Sequence, residues 1–182
     1  MRIRPETTAD HDAVDTVHRR AFGPGEPIPA LVAALRAAPA TLRPRGYVAV
    51  DGADRVVGHV MLSAGRLDAS RRLVDVYVLS PLGVDPAHQK RGIGTLLVAH
   101  ALAEADRVAV PLLFLEGSPD YYGQRGFKPA ITLGFRKPSL RIPDPAFQVV
   151  PLSAYEPWMT GTLVYSDVFW ALDCVGLRDP EA

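Results

Sequence analysis

The sequence predicts an α/β fold in which two strands are joined through a helix, and three stretches carry that prediction. Val74 to Val84 (VDVYVLSPLGV) alternates β-branched and aromatic residues with others and reads as a strand. Ile93, Leu96, Leu97 and Ala101 then recur at helical spacing, which predicts an amphipathic helix. Val108 to Leu115 follows as a nearly continuous apolar run, the pattern of a strand buried on both faces and parallel to its predecessor. Strand, helix and strand in that order form a crossover unit, expected to be right-handed.

The other elements follow in chain order. Met1 to Glu6 reads as a short first strand. Thr7, Thr8 and Asp10 offer caps for a helix from about Asp10 to Phe22, with Ala13, Val14, Val17, Ala21 and Phe22 on its apolar side. Gly23-Pro24-Gly25-Glu26-Pro27 ends it, and a second helix spans Pro29 to Ala38, closed by Pro39. Gly46 to Asp51 and Val56 to Ala64 are predicted strands joined by the hairpin loop Asp51-Gly52-Ala53-Asp54. His59 falls in the second of these and is read as a half-exposed face residue. Arg66 to Arg72, with three arginines, is read as a solvated loop. His100 lies on the apolar line of the crossover helix, as a core or boundary residue. Beyond the crossover, Ser118 and Pro119 start a helix of one to two turns that ends at Gly126. Three strands are expected in the proline-rich remainder, at Ile131 to Phe135, Ala146 to Val150 and Thr160 to Tyr165, with fraying after about Leu177.

Composition narrows the function classes. At 182 residues and 48% hydrophobic, the chain is expected to be one domain, 1–182, with a substantial core. Twenty basic residues balance twenty acidic ones, so neither a nucleic-acid footprint nor an affinity for anionic membranes is indicated. Cys174 is the one cysteine, which rules out an intrachain disulfide and fits a reducing cytoplasm. It is read as a packing residue, because nothing around it in sequence would activate a thiol. No stretch reaches the roughly 20 apolar residues of a membrane span, and Met1-Arg2-Ile3-Arg4 lacks the apolar core of a signal peptide. The abundance of Arg, Ala and Pro points to a GC-rich bacterial source. The five histidines show no metal-ligand spacing, and no Gly-x-Ser-x-Gly elbow is present.

Chemistry concentrates where the predicted strand is interrupted. Pro81 has no N–H for a sheet ladder, so the strand must splay or bulge near Ser80 to Gly83. Gln89-Lys90-Arg91-Gly92-Ile93-Gly94-Thr95 then places a glycine turn at a helix N-terminus, where unpaired amides and the helix dipole attract an anion. Such a terminus suits a pyrophosphate. Gly92 and Gly94 let the ligand approach the backbone, Lys90 and Arg91 add positive charge, and Thr95 adds a hydroxyl. A glycine turn has purely geometric uses too; the helix it opens and the broken strand before it favour the anion reading.

The run Gln89-x-x-Gly92-x-Gly94 after Leu82-Gly83-Val84-Asp85-Pro86 resembles the acyl-coenzyme A signature of the GNAT superfamily of N-acetyltransferases. Gly117-Ser118-Pro119-x-Tyr121-Tyr122 with Gly126-Phe127 is similar to a second motif, found in a stand-alone bacterial subgroup. The resemblance implies a mixed twisted sheet of about six to seven strands splayed at the fourth, with about four flanking helices. It implies acetyl-CoA as co-substrate and no metal. Leu82, Gly83, Val84, Gln89, Lys90, Arg91, Gly92, Ile93, Gly94 and Thr95 would bind the coenzyme, with the splayed strand pairing its pantetheine arm.

The same resemblance implies that Tyr122 protonates the departing thiolate, which suits a phenol of pKa about 10. The N–H of Gly83 or Val84 would polarise the thioester carbonyl. The position that carries a proton-accepting glutamate in many members is Val78 here. Glu116, at the end of the next strand, is the leading substitute base, ahead of Asp75 and Ser80, and Glu26 is a possible contact for a cationic acceptor. Two functions stay open on the sequence: acetyl transfer to a primary amine of a small molecule or protein, or non-catalytic acyl-CoA binding as a sensor. The acceptor is not identified, and both a monomer and a homodimer remain open.

Overall fold

In a computed structural model, residues 1–178 are described, and eight strands form one sheet in the order β1-β2-β3-β4-β5-β7-β6, with β8 paired to β3. The strands are β1 (Arg2–Pro5), β2 (Arg45–Val50), β3 (Val56–Ala69), β4 (Leu73–Val84), β5 (Leu112–Glu116), β6 (Lys128–Pro129), β7 (Phe147–Pro151) and β8 (Gly161–Tyr165). The α-helices are α1 (His11–Phe22), α2 (Ile28–Ala37), α3 (Ile93–Arg107), α4 (Pro119–Gly123) and α5 (Asp167–Ala171). The pair β4–β5 is parallel and is connected through α3, as the crossover pattern predicts. Among the described residues no helix is long and apolar enough to cross a membrane.

Alternation along the strands divides the core between the two faces. Val76, Val78 and Phe114 pack with Val14, Leu31, Leu35 and Phe169 from α1, α2 and α5. Tyr77, Leu79, Leu113 and Leu115 pack with Leu97, Ala101 and Ala105 of α3. Cys174 packs against the first of these clusters, and burial raises its thiol pKa.

Four expectations are corrected. Arg66 to Arg72 is not a loop: β3 continues to Ala69, because Leu67 and Ala69 point inward while Arg66 and Asp68 point to solvent, and β8 pairs this end. β8 also brings the sheet to eight strands. Val108 to Val110 belongs to the exit from α3. Ala109 takes a left-handed φ of 57°, and Val110 N–H bonds to Ala105 O, a helix end without the glycine that usually marks one. Ile131 to Phe135 is not a strand either. Ala130–Leu133 is a 3-10 turn closed at Gly134, and it delivers Phe135 edge-on to Phe114. The expected fraying after Leu177 falls mostly on 179–182, outside the described residues.

His59 is the fourth correction: it is fully buried, in a row of polar groups that ties four elements together. Its Nε2 lies 2.7 Å from Oε2 of Glu6, just past β1, and its Nδ1 lies 2.8 Å from Nε2 of His18 on α1. Glu6 Oε1 accepts from Arg36 Nε of α2 at 2.7 Å and lies 3.2 Å from His11 Nε2. Burial works against ionisation of Glu6, but His59 and Arg36 outweigh it and lower its pKa to about 2. Burial also lowers His59 and brings His18 down to about 3, so both rings are neutral at pH 7. With Glu6 ionised, the network assigns the His59 proton to Nε2 and the His18 proton to Nε2. His18 Nδ1 is then left against Gly83 of β4, where a Cβ would stand 2.7 Å from it.

The folded-state pKa of Glu6 lies below its ordinary value of 4.5, so its contribution to stability is complete above 4.5 and is lost as pH falls toward 2. His18 and His59 act in the same direction: their contribution is complete above 6.5 and is lost on acidification, toward about 3 for His18. His59→Ala is therefore expected to lose about 2–3 kcal/mol at pH 7. Urea titrations at a series of pH values will also show a shallower fall of stability below pH 6.5 than in wild type.

Candidate functional site

The interruption expected at Pro81 is a bulge on β4. Leu62 pairs with Leu79 and Val60 with Leu82, so Ser80 and Pro81 together oppose Met61. β5 keeps to β4 only at Tyr77–Leu113 and Val78–Phe114, although it runs on to Glu116. Past Val78 the two strands part. Asp85 N–H bonds to Val57 O, and in an antiparallel ladder this makes Gly83 and His59 the next hydrogen-bonded pair. The N–H of Gly83 thus faces β3, whereas those of Leu82 and Val84 turn into the gap that β5 has left. Of the two amides expected to polarise a carbonyl, Val84 is placed to do so, joined by Leu82.

The glycine turn closes the other side of this gap. Gln89 Nε2 donates to Val84 O at 3.1 Å, tying the turn to the open edge of β4. Lys90 and Gly92 take left-handed φ values of 59° and 79°. Helical bonding in α3 begins with Leu96 N–H to Gly92 O, so the preceding amides of the first turn are free to meet an anion. Ile93 buries its side chain beside Gly58 and leaves only its backbone at the surface of the turn. A cleft of about 490 Å³ lies here, lined by Leu82, Val84, Gln89, Lys90, Gly92, Ile93, Gly94 and Thr95. Gly83 faces away onto His18, and Arg91 stands exposed beside the turn.

Three further residues from α4 and the loop after it complete the lining: Tyr121, Tyr122 and Arg125. Ser118 O accepts from the amides of Tyr121 and Tyr122, which sets α4 against the gap. The Tyr122 ring packs edge-on between Tyr121 and Phe127 and against Gly117, where any Cβ would collide with it. Burial, followed by the neighbouring Tyr121, pushes its phenol well up, so it carries its proton throughout the neutral range. Tyr121 also lines the cleft, and its hydroxyl occupies the space a side chain at Gly94 would need. Arg125 was not expected at the site. Its spacing of four from Tyr121 was the available signal, since such pairs stack on one helical face.

Glu116 stands on the other side of the sheet. Phe114 and Leu115 belong to opposite cores, so Glu116 falls with Phe114 on the α1–α2 face, while Tyr122 packs with the α3 core. Gly176 N–H donates to its Oε2 at 3.0 Å, and the Tyr165 hydroxyl also bonds to the carboxylate. Burial outweighs these donors and raises its pKa above the ordinary 4.5. Asp75 is exposed and accepts from Thr41 Oγ1 at 2.7 Å. Ser80 lies in the bulge, Glu26 is exposed between α1 and α2, and Val78 is buried in the core. His100 is half-buried on α3 with its ring edge-on to Tyr47. A second hollow, about 330 Å³ between α2 and β8, contains none of the expected site residues.

No protein of curated function matches the sequence. A GNAT-fold N-acetyltransferase from Escherichia coli, YhbS, solved in complex with CoA, is 27% identical and superposes with a TM-score of 0.81 over 92% of this chain and 91% of that one. A GNAT family acetyltransferase from Brucella melitensis, solved with acetyl-CoA, is also 27% identical, with a TM-score of 0.72 over 92% of this chain and 97% of its own. Residues 2–130 match the sequence model of the acetyltransferase (GNAT) domain, and with that match and this fold the chain belongs to the GNAT acetyltransferase family.

Proposed function

We propose that residues 1–182 act as one acetyl-CoA-dependent N-acetyltransferase domain that transfers the acetyl group directly to a primary amine of a small molecule or protein. The observation that carries this reading is the convergence, in one cleft, of the parted edge of β4, the free amides at the start of α3 and the Tyr122 phenol. Both similar structures were solved with the coenzyme or its acetyl thioester. The chemistry of the cleft fits that molecule. Gly92 to Thr95 offer amides to a diphosphate, and the N–H groups of Leu82 and Val84 are an unpaired strand edge for an amide-bearing arm. The single cysteine is consistent with a reducing cytoplasm.

In the reaction, the Leu82 or Val84 N–H stabilises charge that develops on the thioester oxygen. Glu116 takes a proton from the acceptor amine, directly or through water, from the α1–α2 side. The amine nitrogen bonds to the acetyl carbon, the carbon–sulfur bond breaks, and Tyr122 gives its proton to the departing thiolate from the α3 side. Solvent then returns a proton to Tyr122 and removes one from Glu116. Burial raises the pKa of Glu116, which makes its carboxylate a better proton acceptor than an exposed one.

A second reading, acyl-CoA binding without turnover, is favoured by one observation: Val78, where many members carry the base, is closed into the core. Calorimetry with acetyl-CoA followed by a free-thiol assay over a panel of amines separates the two. Amine-dependent thiol release supports the transferase, and binding without release from any amine supports the sensor.

Gly92→Glu is expected to abolish acetyl-CoA binding in calorimetry with the fold retained, because it puts a carboxylate on the anion turn and a side chain on a left-handed backbone; unchanged affinity would remove the turn from the coenzyme site. Tyr122→Phe should lower kcat about a hundredfold with little change in coenzyme affinity, the scale of a lost general acid. Wild-type kcat/KM is expected to fall on acidification through an apparent pKa above 4.5. In Glu116→Gln the rate should drop and this acidic limb should disappear; its persistence would assign the base elsewhere.

A further inference from the structure

Arg125 is placed where its charge is least welcome. Its Nη2 donates to Thr95 Oγ1 at 2.6 Å, in the first turn of α3, and the helix dipole presents its positive end there. Lys90 and Arg91 stand on the same turn. Among the described residues no carboxylate pairs with Arg125, and its Nε is buried without a partner. The guanidinium is held instead by Tyr121. Its carbon lies 3.5 Å over the Tyr121 ring, and its Nη1 donates to the Tyr121 carbonyl. Tyr121 in turn rests its hydroxyl on Gly94, the glycine whose missing Cβ opens the turn to a ligand. Three cations are grouped at the positive end of a helix, and the Tyr121 hydroxyl and the Arg125 guanidinium lie beside the turn whose unpaired amides would receive an anion.

We propose that Arg125 is a phosphate ligand of this cleft: it moves with Tyr121 off the glycine turn and grips the diphosphate of the bound thioester, so that the protein favours coenzyme A thioesters over pantetheine thioesters without phosphate. The proposal rests on the reading of the cleft as an acyl-CoA site. The edge formed by Nε and Nη2 is the fork with which arginine holds two phosphate oxygens, and here it is turned toward the start of α3 with only the Thr95 hydroxyl on it. An anion on the turn relieves the repulsion between the guanidinium and the helix end and satisfies Nε. The Thr95 hydroxyl, which accepts from Arg125, keeps its own proton to donate to the same anion.

The test is titration calorimetry of wild type, Arg125→Gln and Arg125→Lys with two ligands, acetyl-CoA and S-acetylpantetheine, at low and high salt. For Arg125→Gln the expected result is an acetyl-CoA affinity lower by about tenfold or more, the scale of a lost hydrogen bond to a charged group, and a weaker dependence on salt. S-acetylpantetheine should bind as in wild type. Arg125→Lys keeps the charge without the fork and should fall between the two. Equal losses for both ligands would make Arg125 a structural residue and overturn the proposal, as would an unchanged acetyl-CoA affinity. A wild-type protein that binds no acetyl-CoA overturns the reading of the cleft itself, whereas wild-type binding with an unaltered Arg125→Gln overturns the arginine's role alone.

Discussion

The parting of β4 from β5 is the constraint on which the rest of the molecule depends. A strand in the middle of a sheet has its backbone groups paired on both sides, and a break there exposes donors and acceptors that must find new partners. The bulge at Ser80 and Pro81 makes that break and also shifts the alternation of β4, so that Leu82 and Val84 share the α3 face with Leu79. Gln89 answers the exposed carbonyl of Val84, while the amides of Leu82 and Val84 remain turned toward the gap. The unfinished ladder is itself the candidate binding edge.

An open edge must be held open, and the polar row from Glu6 to His18 braces it from behind. Buried imidazoles are neutral here because burial disfavours their charged forms, and one carboxylate, ionised against Arg36 and His59, orders their protons. The row crosses β1, β3 and α1 and ends on Gly83, the one residue of the β4 tip whose side must stay empty for His18 to fit. Packing alone would have filled this space with aliphatic side chains. A hydrogen-bonded row adds direction, since each ring has one orientation that satisfies its neighbour.

Electrostatics on the opposite side of β4 are of one sign. Positive side chains, free amides and a helix dipole of the same sign meet at the start of α3, an arrangement that an anion improves. Glu116 and Tyr165, by contrast, lie together on the α1–α2 side, where burial raises the pKa of both. The two faces of the splayed sheet thus carry different chemistries, cationic at the start of α3 and carboxylate on the α1–α2 side.

Local sequence determined the elements that depend on neighbours along the chain. The proline in Val74 to Val84 announced the break, the glycines announced the turn, and apolar spacing announced α3, because a missing N–H, a missing Cβ and a helical period are properties of the chain itself. Glu116 and Tyr122 became candidates only through the family resemblance, and their assignment to opposite faces of the sheet came from packing. Tertiary structure alone decided the rest. His59 looked like a half-exposed strand residue because its partners, Glu6 and His18, lie far from it in sequence. Leu67 and Ala69 form a strand only because β8 arrives from the far end of the chain to pair them. Arg125 became a site residue when α4 folded over the start of α3, thirty positions from Thr95 in sequence. Contacts of that separation are set by which surfaces the sheet brings together, and no local pattern encodes them.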